Sequence, residues 1–296
     1  LYIIWGSTYL GIRFAIATMP PLLMAGARFF AAGVIMYAIA RFQGAGKSTF
    51  REWRTAFVIG ACLLLGGNGG VTIAEQWVSS GLASLLVATV PIYIALLAWL
   101  TGSAPGQRPL ALLGLAAGFC GVGILVGPAL TAAPVAGARH QGLGMLVLLF
   151  GSFIWSVGSL YSRRASHSVS PFLSSAQTML CGGALTFVVG LAAGEGRDFH
   201  PEKITLLSAG AFIYLVLIGA IVGYTAYIWL LRHCDPAKVA TYAYVNPVVA
   251  VLLGALFAGE TVSGRTALAA AIIIGSVALV ITAQQAKEKT RPVPSP

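Results

Sequence analysis

The stretch GLASLLVATVPIYIALLAWL, Gly81–Leu100, decides the fold because it is a long apolar run with a single proline, Pro91, in its middle. About 20 apolar residues are enough for a helix to cross the hydrocarbon core of a membrane. The run has a second copy. When Pro91 is aligned with Pro247, at an offset of 156 residues, PAKVATYAYVNPVVAVLLGAL (Pro236–Leu256) falls on the same pattern. A span that occurs twice indicates an internally duplicated protein.

The duplication extends beyond the two proline runs. The same offset places Gly67, in a run of four glycines around one asparagine, on Gly223. At an offset of 150 residues, IWGSTYLGIR (Ile4–Arg13) falls on IWSVGSLYSR (Ile154–Arg163). Both halves of the chain therefore contain the same succession of segments.

Composition assigns the chain to the polytopic membrane proteins. Of its 296 residues, 58% are hydrophobic and only 9% are charged, and the mean hydropathy is +0.87. Soluble domains carry about 25% charged residues. The apolar runs of spanning length are Leu1–Thr18, Leu22–Arg41, Thr55–Trp77, Gly81–Leu100, Pro109–Gly127, Gly142–Tyr161, Pro171–Gly194, Ile204–Leu231, Pro236–Ala258 and Thr266–Ala283.

The positive charges sort to one side of this arrangement. If the N-terminus is cytoplasmic, twelve of the 18 lysines and arginines fall inside, four fall outside, and Arg13 and Arg28 lie within spans. This positive-inside bias places both termini in the cytoplasm. It also accounts for the net charge of +10 without a nucleic-acid partner.

An odd number of spans per half means that the second copy enters the membrane upside down. Inverted repeats of this kind recur in secondary transporters, with the substrate site at the repeat interface. The sequence thus predicts an all-α polytopic membrane protein with ten transmembrane helices, arranged as two inverted five-helix repeats around a central cavity. The predicted units are a first repeat at 1–127, a connecting loop at 128–141, a second repeat at 142–284 and a cytoplasmic tail at 285–296.

The chain resembles the EamA-type transporters of the drug/metabolite transporter superfamily. The resemblance is carried by IWGSTYLGIR with Arg28, and by the paired proline helices, of which the second ends in NPVVAVLLGALFAGE (Asn246–Glu260). Within that family the chain most resembles the YddG- and YedA-like exporters. The resemblance implies ten helices, cytoplasmic termini and export of amino acids or related metabolites. The first half departs from the family pattern, since it has SAPGQ (Ser103–Gln107) where an acid is common.

Four residues are candidates for shaping or moving the cavity wall, namely Pro91, Pro247, Gly67 and Gly223. A proline inside a helix removes one hydrogen bond and kinks the helix. The freed carbonyl is tolerated in a membrane only against protein or a water-filled cavity. A static packing kink is the alternative explanation. Glycines weaken the third span and permit close helix approach, so a flexible wall and tight packing both fit.

Aromatic and polar side chains inside spans are the candidates for the cavity lining. Buried tyrosines need a hydrogen-bond partner for their hydroxyl groups, and aromatic walls suit apolar or aromatic solutes. Plain core packing is the alternative for the repeat mates Trp5 and Trp155. The candidates are Trp5, Tyr9, Asn68, Tyr93, Trp155, Tyr161, Gln177, Tyr224, Tyr227, Tyr244 and Asn246.

Three ionisable residues, Arg13, Arg28 and Glu75, lie within spans, where charge is costly and points to function. All three fall in the outer leaflet of the predicted topology. They form either an outer gate or a cation site for a substrate carboxylate, or else a structural ion pair. No acid falls at mid-depth, so the sequence does not support a buried proton relay. We expect gradient-driven movement of the substrate, or coupling through Glu75 or a loop histidine.

The sequence predicts a transporter rather than an enzyme. It has no HxxxH, GxSxG or phosphate-loop motif, and its four cysteines have no metal-ligand spacing, so we expect no cofactor and no metal site. The expected partners are a small-molecule substrate, such as an amino acid, and membrane lipid. The predicted function is export of aromatic or other apolar amino acids across the inner membrane by alternating access. The alternatives are an importer or exchanger of another metabolite or drug class, and a non-transporting receptor or enzyme.

Overall fold

The computed structural model describes residues 1–101, 109–131, 138–165, 170–233 and 242–288, and within these ranges the chain is helical and has no strand. The α-helices are α1 (Tyr2–Ala15), α2 (Pro21–Phe42), α3 (Phe50–Gly60), α4 (Gly70–Ala74), α5 (Ser80–Val87), α6 (Val90–Leu100), α7 (Pro109–Thr131), α8 (Ala138–Arg164), α9 (Pro171–Ala192), α10 (Leu206–Tyr214), α11 (Gly223–His233), α12 (Tyr242–Ala258) and α13 (Gly264–Glu288). Short 3₁₀ turns occupy Glu195–Arg197 and Pro201–Lys203.

Most helical stretches of this fold are long and apolar enough to cross a membrane. Among the described residues, seven helical stretches are long and apolar enough to cross a membrane. Two shorter apolar stretches, Leu112–Val126 and Val245–Ala258, lie in α7 and α12. The predicted class, an all-helical polytopic membrane protein, agrees with these elements. Helix α7 runs to Thr131 instead of ending at Gly127, and α13 continues to Glu288.

The two prolines that revealed the duplication have different effects on their helices. The Gly81–Leu100 run is interrupted, since α5 ends at Val87 and α6 begins at Val90. Pro91 lies in the first turn of α6, where a missing N–H leaves no intrahelical hydrogen bond unmade. Pro247 instead lies inside α12, which continues through it to Ala258. Over the described residues the first half is thus interrupted at Ala88 and Thr89, whereas α12 is helical at the positions one repeat later, Tyr244 and Val245.

Two π-helical stretches occur at matching places in the two halves. Ala61–Gly69 joins α3 to α4 and contains Gly67, and Leu215–Val222 joins α10 to α11 directly before Gly223. π-Helical turns are rare and are often found at functional sites. The glycine-rich run expected to weaken the third span therefore departs from α-helical geometry while staying helical.

Helices α2 and α9 cross in close contact at glycines. A Cβ atom on Gly26 would overlap the backbone nitrogen of Phe187, and a Cβ on Gly183 would overlap that of Phe30. The contact is reciprocal, because Gly183 and Phe187 each lie 157 residues after Gly26 and Phe30. Since contacts near the start of α2 involve the end of α9, the two helices run antiparallel.

Helices α7 and α13 form a second close pair. A Cβ on Gly114 would lie 2.9 Å from Val280, and one on Gly121 would lie 2.9 Å from Ile273. Gly118 faces the hydroxyl group of Ser276. By contrast, Gly275 of α13 has nothing within 4 Å of such a Cβ. Small residues permit close helix contact in a membrane, and here those of α7 provide it.

Substitution of Gly26 by alanine should destabilise the protein by about 1–3 kcal/mol, because the added methyl group forces α2 away from the backbone of α9. Thermal unfolding of the purified protein in detergent measures the effect. Gly275→Ala is the matched control, since it adds the same methyl group in open space and should leave the melting temperature unchanged or slightly raised. Equal melting temperatures for the two variants would contradict the close crossing.

Candidate functional site

A cluster of aromatic rings forms around Trp5, where α1, α11 and α12 converge. The ring centroid of Trp5 lies 6.0 Å from that of Tyr224, 5.2 Å from that of Tyr227 and 5.1 Å from that of Tyr242. The rings of Tyr227 and Tyr242 meet edge to face at 6.2 Å. Aromatic pairs attract each other over such distances, and the same faces and edges are able to contact an apolar solute. We call these four residues the Trp5 cluster.

The indole of Trp5 fits against the helix backbone because Gly223 has no side chain. A Cβ on Gly223 would lie 2.6 Å from the indole Nε1 atom. Helix α1 also approaches α12 closely, since a Cβ on Gly6 would lie 2.7 Å from the Cβ atom of Val249. The position of Trp5 thus depends on two glycines, one on α11 and the other on α1.

Trp155 makes the corresponding contact in the other half. A Cβ on Gly67 would lie 2.5 Å from atom Cε3 of Trp155. Gly67 is the repeat mate of Gly223, and Trp155 is the repeat mate of Trp5. The sequence proposed all four residues as site candidates, and the structure joins them into two equivalent tryptophan–glycine pairs.

Asn246 connects α1 to the start of α12. The residue is 8% exposed, and in the amide orientation that satisfies its neighbours its nitrogen donates to the carbonyls of Tyr2 at 3.1 Å and Tyr242 at 3.2 Å. Both acceptors belong to the backbone, so this amide fixes the two helices relative to each other. Tyr244 also lies in α12, but its side chain is outside the part of the chain that the structure describes.

Three further cavity candidates lie in α6, α8 and α9. The ring of Tyr93 in α6 packs against Phe119 at 6.1 Å and Phe153 at 5.8 Å. Gln177 in α9 is 1% exposed, and its amide nitrogen has no hydrogen-bond partner among the described residues. Tyr161, near the end of α8, is 38% exposed.

A second group of polar residues is organised by Glu260, which follows α12 and Gly259. Its carboxylate accepts hydrogen bonds from the backbone N–H of Ser80 at 2.8 Å, from the Ser80 hydroxyl at 2.9 Å and from the N–H of Gly81 at 3.0 Å. A carboxylate at a helix N-terminus satisfies free N–H groups and interacts favourably with the helix dipole. Arg13 Nη1 of α1 lies 3.5 Å from the same carboxylate. Glu260 therefore connects α1, α5 and α12 at one end of the bundle, called here the Glu260 end.

Arg28 is buried between α2 and the first π-helical stretch. It is 3% exposed, and its Nη2 atom donates to the side-chain oxygen of Asn68 at 2.5 Å. Its guanidinium carbon lies 4.3 Å from the centre of the Phe29 ring, a cation–π distance. Its Nε atom has no hydrogen-bond partner among the described residues. A buried cation held by neutral partners retains unused capacity to attract an anion.

Glu75 lies directly after α4 and is also 3% exposed. Neither of its carboxylate oxygens has a hydrogen-bond partner within the described ranges. Glu260, Arg13 and Arg28 all act on it electrostatically, as it acts on Tyr9. The three ionisable residues singled out from the sequence thus belong to one group, together with Tyr9 and Asn68.

Sequence reasoning missed two members of these groups as site residues. Tyr242 was not selected, although it contacts Trp5 as closely as any other ring does. Glu260 was noted only as part of the family pattern. The available signal was a lone acid directly after an apolar run and a glycine, which in the structure has a positive φ of 64°. Such an acid can reach back to a helix start, but its target lies 180 residues away in the chain.

Comparison with known proteins assigns the family. The model of the EamA-like transporter family matches residues 1–127 and 142–282. The chain belongs to the EamA-like transporter family. It is therefore a membrane transporter by family, as its sequence pattern predicted.

Named relatives cover almost the whole chain. The inner membrane transporter YedA of Escherichia coli strain K12 is 40% identical over 282 residues, which is 95% of this chain and 88% of that protein. A protein of the same organism named as an amino-acid metabolite efflux pump is 27% identical, over 92% of this chain and 89% of its own. A solved crystal structure of a protein 23% identical has the same fold, with a TM-score of 0.64 over 96% of this chain and 95% of that one.

Replacing Glu260 by glutamine should lower the stability of the protein by about 0.5–2 kcal/mol, the range for loss of a helix cap. The amide retains the shape but loses the charge that faces Arg13 and the N-terminus of α5. Thermal unfolding in detergent measures the loss. Glu202→Gln is the control, because Glu202 pairs with His200 on an exposed loop and its side chain is 69% exposed. A melting temperature as high as that of the control would show that Glu260 does not stabilise the contact between these helices.

Proposed function

We propose that this EamA family member exports aromatic or other apolar amino acids across the inner membrane by alternating access. Its ten transmembrane helices would form two inverted five-helix repeats around a central cavity, with both termini in the cytoplasm. The observation that carries the proposal is the pair of equivalent tryptophan–glycine contacts, Trp5 on Gly223 and Trp155 on Gly67.

The inverted arrangement is supported by reciprocal contacts. Gly26 meets Phe187 as Gly183 meets Phe30. Each pair is converted into the other by exchanging the two halves, which is what a two-fold axis between repeats requires. Because α2 and α9 run antiparallel, such an axis lies in the membrane plane, as in inverted-repeat transporters.

Alternating access is supported by a conformational difference between the halves within the described residues. In the first half α5 and α6 are separate helices, whereas α12 is continuous. Helix α5 packs against α12 at the Glu260 end, while α6 packs against α8, α7 and α13. In the proposed topology the Glu260 end is the outer one. The structure then corresponds to a state closed at the outer face, and exchanging the conformations of the two halves would open it.

The substrate class is supported by the Trp5 cluster and by a relative. Four aromatic rings with hydroxyl and indole N–H groups offer stacking surfaces and a few polar atoms, a combination that suits a small aromatic or apolar solute. A relative 27% identical has a name that includes amino-acid metabolite efflux. Arg28, with an unused Nε donor, adds a cation suited to a substrate carboxylate.

Proteoliposomes that contain the protein should exchange radiolabelled phenylalanine or tryptophan in a counterflow assay. Trp155→Ala and Trp5→Ala should each lower the flux at least severalfold, because either change removes a wall of the proposed cavity. Trp53→Ala is the control, since Trp53 lies in α3 and packs on Tyr37 at 5.9 Å, apart from both tryptophan–glycine pairs. Absence of counterflow with every amino acid, at normal membrane abundance, would refute the substrate class.

Reporter tags at the two ends of the chain should both report a cytoplasmic location, because two five-helix units return the chain to its starting side. Cysteine labelling of intact cells at Gly196, in the loop after α9, should succeed from outside in the proposed topology. Tags that report from opposite faces of the membrane would contradict the paired five-helix units.

A further inference from the structure

Glu75 is a buried acid whose carboxyl group is left without a partner. It is 3% exposed, and both of its oxygens lack a hydrogen bond to any described residue. Burying a carboxylate without hydrogen bonds costs far more free energy than burying the neutral acid, because the neutral form is a polar group without a charge. The position is also functional by default, because ionisable groups within membrane spans are rare and usually mark ion or substrate paths.

The charged and titratable groups around Glu75 come from several elements, and the cations among them are held elsewhere. Arg13 of α1 lies against Glu260, which follows α12, at 3.5 Å. Arg28 of α2 donates to Asn68 and lies over Phe29. Neither arginine comes within ion-pair distance of Glu75 among the described contacts. The phenol of Tyr9, also in α1, is a further neighbour of Glu75 among the described residues.

Two acids therefore compete for one cation at the Glu260 end. When Glu260 caps α5 and binds Arg13, Glu75 is left with no partner of its own. If that end of the bundle opens, Arg13 becomes free to face either acid, and water reaches Glu75. The protonation of Glu75 and the closure of this end are thus linked. Closure buries an unpaired acid away from water, and the free-energy cost of that burial is low only when the acid is neutral.

We propose that Glu75 is the proton-binding site of the transporter, and that export of the substrate is exchanged for entry of a proton. This inference rests on the proposed transport function and adds the coupling ion. A proton from outside binds to the Glu75 carboxylate while the Glu260 end is open, and the neutral acid is buried when Arg13 returns to Glu260. The proton then leaves toward the middle of the bundle. Asn68 and Arg28 lie on that side, since Asn68 precedes Glu75 by about 10 Å of helical rise.

Release of the proton leaves a carboxylate opposite Arg28, which has no ion-pair partner among the described residues and an unused Nε donor. Release of the proton therefore leaves the two acids and the two arginines with equal numbers of opposite charges. With Glu75 neutral, Arg13 pairs with Glu260. With Glu75 ionised, each acid has one arginine. The sequence placed Glu75 near the outer end of its span and left it as one possible coupling group, and its burial follows from the packing of α4 against α8 and α2.

Infrared spectroscopy of the purified protein tests the proton site without any transported substrate. At neutral pH the wild-type spectrum should contain the C=O band of a protonated carboxyl group, and the Glu75→Gln variant should lack it. Glu195→Gln is the matched control. Glu195 accepts from the backbone N–H groups of Leu22 and Leu23, far from Glu75 in sequence, and its removal should leave the band unchanged. A wild-type spectrum without the band, or a band that persists in Glu75→Gln, overturns the proposal.

Proteoliposomes test the coupling. With substrate inside, external acidification should accelerate efflux severalfold for the wild type and should have no effect for Glu75→Gln. The variant should keep its melting temperature, because glutamine mimics the neutral acid. Glu75→Asp should restore part of the acceleration. Equal acceleration in Glu75→Gln, or none in the wild type, overturns the coupling. If the wild type moves no amino acid at all, the proposed function fails, while the infrared result still decides whether Glu75 binds a proton.

Discussion

Close approach of helix backbones at glycines is the interaction on which this structure depends. In a lipid environment apolar side chains gain little by leaving the solvent, so helices associate through tight packing. The α2–α9 crossing has glycines on both helices, and each admits the backbone of the other. The same principle seats Trp5 on Gly223 and Trp155 on Gly67, which places large aromatic rings against bare helix backbone.

The few charged side chains inside the bundle are the second organising feature of the structure. Glu260 and Glu195 each cap a helix that is remote in sequence, α5 and α2 respectively. Backbone N–H groups that lipid would leave unsatisfied thereby receive an acceptor. Arg28 is treated differently, since an amide and an aromatic ring hold it without a neutralising charge at ion-pair distance. The group at the Glu260 end is consequently a place where small rearrangements change the electrostatic energy strongly.

The two halves repeat a sequence pattern but not a conformation. Helices α5 and α6 are separated by a turn, whereas Pro247 lies within the unbroken α12. A turn of this kind allows the two parts of a span to pack on different neighbours. Helix α5 contacts α1 and α12 and α6 contacts α7, while both contact α8 and α13. This difference at one span stands beside the reciprocal α2–α9 packing, and both are features that the proposed exchange of states between the halves requires.

The sequence alone determined the class of the protein, the succession of apolar runs and the correspondence between Trp5 and Trp155 or between Gly67 and Gly223. Hydropathy and repetition are properties of the sequence itself, so they can be recognised without knowing which residues come into contact. Only the tertiary structure decided that Pro91 starts a helix while Pro247 lies within one, because neighbouring helices fix that choice. It alone brought Tyr242 to Trp5, turned Glu260 into the cap of α5 and buried Glu75 without a partner, since each of these outcomes depends on residues far away in sequence.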